Sequence, residues 1–253
     1  MANQLRGRKY SGDLFARKYG TDDPFRKIGN LTELTTNRES ETDTLPSTGK
    51  HDYGAALETV ATPGPTTITG AFNTFDKDTF GMILMGEVSD LTNAVTTQTD
   101  APIKAHFDSW GKLPHGDIDP ATVVVQTTGG SPVTLDAAHY VINKTVGMVI
   151  LRESAKTEYG LAEGDDLTVT YSTAGTAGVQ IDINTLDSYE LEMYLDGKDR
   201  ITQKPGVLEM PHAVLAAKDG VNWMADEWWT SGVEGTLIKP DDKPAARFKE
   251  YEI

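Results

Sequence analysis

The sequence predicts a mainly β protein: an antiparallel β sandwich or barrel with one short packed α-helix, an extended N-terminal arm and a β-rich insertion. Three observations carry this expectation. Residues 66–75 and 188–196 alternate apolar and polar side chains with the two-residue period of half-buried strands. Residues 95–178 hold a run of short β signals separated by turn residues, the spacing of an antiparallel sandwich. Only the segment following Asp76 spaces its apolar residues as a helix does.

The elements follow in chain order. Residues 1–28 are basic and interrupted by Gly7, Gly12 and Gly20, which predicts an extended arm with Phe25 and Ile28 as anchors. Residues 31–44 are dense in Thr, Glu and Ser and read as a strand with at least one very polar face. Residues 46–53 read as an exposed loop or crossover, after which Pro63 and Pro65 are expected to set the start of the strand through Ile68, Gly70 and Phe72.

Asp76 or Asp78 is placed to cap a short helix whose packing face is predicted to be Phe80, Ile83, Leu84 and Val88, with Gly81 as a weak point. Within the insertion, strands are expected at 122–128, 133–135, 140–142, 148–152 and 167–172. Beyond it, residues 188–196 set Tyr189, Leu191, Met193 and Leu195 against Ser188, Glu190, Glu192, Tyr194 and Asp196. An aromatic group, Trp223, Trp228 and Trp229, precedes a weakly alternating closing strand at 232–239.

At 253 residues the chain is long for one domain and short for two, so the expected organisation is a core of residues 29–94 and 179–253 carrying the 95–178 insertion. The formal charge of −15 opposes wrapping of duplex DNA, because that mode needs Lys and Arg to displace counterions. The charge is uneven: the first twenty residues carry net +4 and the remainder −19. A basic arm on an acidic body predicts self-association.

With no cysteine, disulfides, thiolate metal sites and a cysteine nucleophile are excluded. No long apolar stretch is present, which sets the expectation of neither a cleaved signal nor a membrane anchor.

Catalytic signatures are missing. The histidines His51, His106, His115, His139 and His212 show no metal-ligand spacing, and the acid pairs such as Asp117 with Asp119 do not continue into a calcium loop. Neither a nucleophile elbow nor a phosphate-binding glycine loop occurs. The expectation is a protein that is not an enzyme and carries no cofactor and no metal. The tryptophans read as core or subunit packing, with a sugar-stacking platform as the alternative.

The order of segments, and residues 29–41 and 52–87 above all, resembles the major tail tube proteins of long-tailed bacteriophages of the siphovirus type. Looser similarity runs through 188–197 and 235–251. The resemblance implies stacked hexameric rings around a shared inner β barrel, with a helix outside and arms bridging rings. It also implies assembly in the host cytoplasm, residence in the virion tail, and contact with tape measure, tail terminator and distal tail proteins.

Mapped onto this chain, the inner strands are 30–42, 66–75, 188–196 and 235–248. The candidate lumen-facing residues are Glu33, Glu39, Glu41, Glu190, Glu192 and Asp196, an acidic lining past which double-stranded DNA slides during ejection without specific binding. The candidate inter-ring arm residues are Arg6, Arg8, Lys9, Arg17 and Lys18. Another virion structural protein (terminator, baseplate or decoration protein) and a carbohydrate-binding β sandwich are the alternatives.

Overall fold

The computed structural model describes residues 7–252. In chain order the first half comprises β1 (Tyr10–Lys18), β2 (Arg26–Lys27), β3 (Leu31–Pro46), β4 (Ala56–Phe72), α1 (Lys77–Ile83), β5 (Glu87–Asn93), β6 (Thr97–Lys104), β7 (Gly111–Lys112) and β8 (Val124–Thr127). The second half comprises β9 (Tyr140–Asn143), β10 (Met148–Leu151), α2 (Ser154–Tyr159), β11 (Asp166–Ser172), β12 (Thr176–Asp182), β13 (Tyr189–Asp199), β14 (Pro205–Ala217), β15 (Ser231–Leu237) and β16 (Arg247–Glu250). The protein is mainly β, as its alternation predicts. Two units form, Met1–Ser89 with Ile181–Ile253, and Asp90–Gln180, and β5 pairs with β12 where the chain crosses between them.

The first unit is an antiparallel sheet ordered β2-β1-β13-β14-β15-β4-β3. The long strand β14 is central: one edge takes β13 along its length, while the other takes β16 at residues 206–209 and β15 at 213–217. One face of the sheet buries Leu14, Ile68, Phe72, Met193, Met210, Leu215 and Val233 together with Met82 and Ile83 of α1, which packs on β14 and β15. Burying one such large apolar side chain contributes roughly 1.5–3 kcal/mol.

Several expectations are corrected here. Residues 10–18 are not an arm outside the core but the sheet strand β1, paired with β13 from Tyr10 opposite Asp199 to Lys18 opposite Leu191. Leu14 and Ala16 alternate inward while Asp13, Phe15 and Arg17 face away, a period that Phe15, the glycines and the positive charges of the segment obscure. Pro63 and Pro65 do not start β4, which begins at Ala56. Their missing N–H groups are tolerated because this stretch of β4 pairs with β3 alone.

The helix is also shorter than its apolar spacing suggests. Asp76 caps it by accepting from Thr79 N at 2.8 Å, and it ends at Ile83 because Met85 turns the chain at φ +49° into β5. Phe80, Ile83, Leu84 and Val88 therefore do not form one helical face, and Val88 lies on β5. Gly81 is less a weak point than a requirement of close packing, since a Cβ there would sit 2.2 Å from Val88 Cγ2. The stretch 235–248 is likewise not one strand: β15 ends at Leu237 and β16 starts at Arg247.

The turn joining β13 to β14 is organised by Asp199, which is 1% exposed. Its carboxylate accepts from Ile201 N (3.0 Å), Thr202 Oγ1 (2.8 Å) and Lys9 N (3.3 Å), so the turn and the approach to β1 share one anchor. These bonds, the one from Ile201 N foremost, hold the carboxyl below the ordinary aspartate range. A depressed folded-state value stabilises the protein above the unfolded aspartate value of ~3.9, and that stabilisation is lost as pH falls through the lower folded value. Asp199→Asn should therefore lose less stability than the wild type between neutral pH and pH ~3, measured by urea midpoints; parallel pH profiles would refute this.

The second unit holds two three-stranded antiparallel sheets, β6-β11-β8 and β7-β10-β9. They share one core that includes Ala101, Val125, Leu167, Val169, Tyr171, Val149 and Leu151. The strand expected at 133–135 does not form, since only Thr134 bridges, to Gln126. Beyond the predicted strands the unit contains β6, β7 and the short helix α2, capped by Gly160 in the left-handed conformation at φ 66°.

Candidate self-association surfaces

Beyond the sheet, β3 and β4 continue as a bare two-stranded ribbon. Their pairing runs from Leu31 opposite Phe72 to Pro46 opposite Ala56, but β15 covers β4 only from Thr66 to Phe72. Residues 35–46 and 56–63 are all exposed. Leu45 (57%), Leu57 (58%) and Val60 (63%) nevertheless stand on it. The register puts Leu45 opposite Glu58 and Val60 opposite Asp43, while Leu57 alternates onto the other face. A two-stranded hairpin in water is marginally stable at best, so this ribbon lacks the covering layer that its apolar residues call for.

The ribbon's tip is ordered by its own hydrogen bonds. Ser47, 4% exposed, donates its N–H to Ala55 O (2.7 Å), its carbonyl accepts from Gly54 N (2.8 Å), and its Oγ accepts from Gly49 N (3.0 Å). Tyr53 projects from this closed turn at 82% exposure.

The predicted acidic residues fall in two places. Glu190, Glu192 and Asp196 share one face of β13, opposite Leu191, Met193 and Leu195. Glu192 is neutralised by Arg17 at 2.7 Å and accepts from Tyr194 OH at 3.1 Å, and Glu190 meets His212 Nε2 at 3.1 Å. On the same face, Glu209 pairs with Lys249. Burial and the Glu192 carboxylate push the Tyr194 phenol up. Glu33 lies at the base of β3, across β14, β15 and β4 from β13, and Glu39 and Glu41 belong to the bare ribbon. The six residues therefore do not form one acidic patch within a single chain.

Of the candidate inter-ring arm residues, Arg8 and Arg17 are paired within their own chain. Arg6 lies outside the described residues. Arg8 pairs with Glu250, whose carboxyl the Tyr10 and Arg8 hydrogen bonds hold low. Lys9 donates its backbone N–H to Asp199, and Arg17 binds Glu192 while its guanidinium lies 4.6 Å from the Phe25 ring centroid. Lys18 and Arg17 border a groove of about 500 Å³ that also takes in Ile28, Met82, Leu186 and Tyr189.

A second candidate surface, this one aromatic, is formed by the loop between β14 and β15 with Phe75 and Phe80. Trp229 stacks 6.0 Å from Phe80, Trp223 meets Trp229 edge-on at 5.4 Å, and Phe75 lies 6.1 Å from Phe80. The loop presents Met224 at 89% and Trp228 at 95% exposure. Trp228 lines an open pocket of about 280 Å³ together with Phe75, Phe80, Trp229 and Ser231. Ser231 is 4% exposed, and its buried hydroxyl has no hydrogen-bond partner among the described residues. Four histidines bind protein groups: His106 to Glu163, His115 to Tyr171, His139 to Ser154 and His212 to Glu190.

A family model described as protein of unknown function UCP028589 matches residues 9–249. The chain belongs to that family. No curated protein matches it. The UCP028589 match spans β1 to β16 and includes the whole second unit.

In this UCP028589 member the features that sequence reasoning missed are the ribbon and the tip residue Tyr53. The available signal for the ribbon was the run of polar β-favouring residues on both sides of 47–55, which continues well past the apolar alternation of 66–72. No membrane-length apolar helix is present among the described residues.

Proposed function

We propose that this chain is a structural subunit of a phage tail tube, assembling into stacked hexameric rings whose lumen conducts genomic DNA. The bare β3–β4 ribbon carries the reading. It has apolar residues on both faces and nothing in its own chain to cover them, which suits a protomer that completes its fold against other copies. The sheet also ends in β2 and β3, whose outer edges are unpaired. Closing such edges between protomers forms a barrel and removes sites of uncontrolled aggregation.

With α1 on one face, the opposite face of the sheet is the one turned to the lumen. Its acidic residues are partly neutralised by Arg17 and Lys249, leaving Asp196 and the edge residue Glu33 to repel passing phosphates. The chain would meet tape measure, terminator and distal tail proteins at the ends of the tube, in a virion tail assembled in the host cytoplasm. Negative-stain electron microscopy across a concentration series tests the reading. Hollow rings or tubes of uniform diameter are expected, and monodisperse monomers at every concentration would remove its basis.

A further inference from the structure

We infer that the uncharged face of the ribbon, built from Thr42, Thr44, Thr59 and Ala61, seats on a second copy of the chain, while the face carrying Glu41, Asp43 and Glu58 stays in water. The inference rests on the self-association reading above and specifies which side of the ribbon is covered.

The register separates the two faces. Cross-strand partners share a side, as the 3.5 Å approach of the Thr44 and Thr59 hydroxyls shows. Thr42 with Ala61 and Thr44 with Thr59 therefore form one face. Glu41 with Thr62, Asp43 with Val60 and Leu45 with Glu58 form the other. Between the pair Arg38 and Thr66 and the pair Ser40 and Pro63, β3 advances two residues and β4 three, so a bulge exchanges odd for even positions on β4 alone. Followed back along β3, the side of Thr44 and Thr42 is the side of Arg38 and Leu34, and Leu34 packs on the core cluster that holds Ile68 and Met82. The uncharged face thus continues the face on which α1 packs, and it is bare where the sheet ends.

Charge decides which side can be covered. Covering Leu45 or Val60 would also bury the carboxylate directly opposite, Glu58 or Asp43, and residues 39–46 and 56–63 hold no cation to pair with it. The other face has no carboxylate to desolvate, and its Thr44 and Thr59 hydroxyls already meet each other. The one charge on that side is Arg38 at the foot of the ribbon, exposed and without an ion pair among the described residues. Two copies of a chain of formal charge −15 repel wherever their acidic faces meet, but a neutral face ending in a free guanidinium suits an acidic body. That complementarity points to a second copy as the occupant, whereas a basic partner would settle on the opposite face.

The absence of cysteine allows a direct test on the full-length protein. Asp43→Cys and Thr44→Cys are neighbours on opposite faces of one strand, so any opening of the ribbon affects both alike and a covering copy does not. Each variant is labelled with excess water-soluble maleimide in dilute and concentrated samples, and the particles are imaged in parallel. Concentrating the protein should slow labelling of Thr44→Cys at least about tenfold and leave Asp43→Cys within about twofold, because a covered thiol reacts only after local opening. Thr59→Glu, which puts a carboxylate on the uncharged face, should raise the concentration needed for assembly about tenfold, and Val60→Gln on the acidic face should change it by less than about twofold.

Rings or tubes that protect the thiol at position 43, both thiols or neither would overturn the face assignment and leave the tube reading intact, as would assembly indifferent to Thr59→Glu. Protection of Thr44→Cys alone in particles that never form rings or tubes would uphold the face and overturn the tube reading. Monomers at every concentration would remove both conclusions.

Discussion

A chain lacking residues 1–20 is expected to lose the cooperative unfolding of its first unit. The deletion removes β1, whose nine residues pair with β13 without a break. It takes Leu14 (2% exposed) and Ala16 (7%) out of the core and removes Arg17 from Glu192. Losing the buried leucine alone costs about 2–3 kcal/mol, and a whole domain is stable by only ~5–15 kcal/mol. The deletion also bares the edge of β13 and leaves Glu192 without its cation, so aggregation should accompany the loss of structure. Urea titration followed by circular dichroism checks this. A truncated protein with a native-like midpoint and slope would show that β1 is dispensable, as a free arm would be.

The opposite outcome is expected when the ribbon is removed. Arg38 and Thr66 face each other where the sheet ends, so residues 39–65 can be replaced by Asn-Gly, a pair suited to a two-residue hairpin turn. Almost nothing excised is buried except Ser47, whose contacts lie within the tip itself. Shortening the connection also lowers its closure entropy, by roughly 0.6 kcal/mol per halving of length. Thermal stability should therefore stay within a few degrees of the wild type, while rings and tubes disappear. Polymers of unchanged diameter from the trimmed chain would show that the ribbon is not an assembly element.

These two deletions also mark where the sequence is legible and where it misleads. The mainly β class and strand β13 are readable because Leu191, Met193 and Leu195 meet the core on one face while Glu190, Glu192 and Asp196 stay outside. The central strand β14 is not readable in the same way. Its buried residues fall at Gly206, Met210 and Pro211, then at Ala213 and Leu215, because the register shifts around Pro211 and His212. A bulge inserts one residue and exchanges the faces, so a two-residue period counted across it cancels.

The candidate site was less legible still. Positive charge in residues 1–20 suggested a docking arm, yet its acidic partners, Glu192 and Glu250, are supplied by distant parts of the same chain. Sequence composition cannot distinguish a charge paired at home from one held for a partner. The ribbon was hidden for a related reason: its polar alternation resembles an ordinary half-buried strand, and only the register reveals that no third strand covers it.

The pairing of β5 with β12 bears on the order in which the chain folds. The partner that β1 pairs with along its whole length, β13, and the strand that covers the base of β4, β15, both lie beyond residue 180 and leave the ribosome late. The second unit, by contrast, contains all the strands of its two sheets within residues 90–180 and can fold during synthesis. Bringing together the ends of a flexible segment of that length costs about 4 kcal/mol of chain entropy. Once the second unit has folded and β5 lies beside β12, that cost has already been met. The sheet of the first unit then joins two halves whose separation along the chain is no longer their separation in space, so its effective contact order is much lower than the sequence numbering implies.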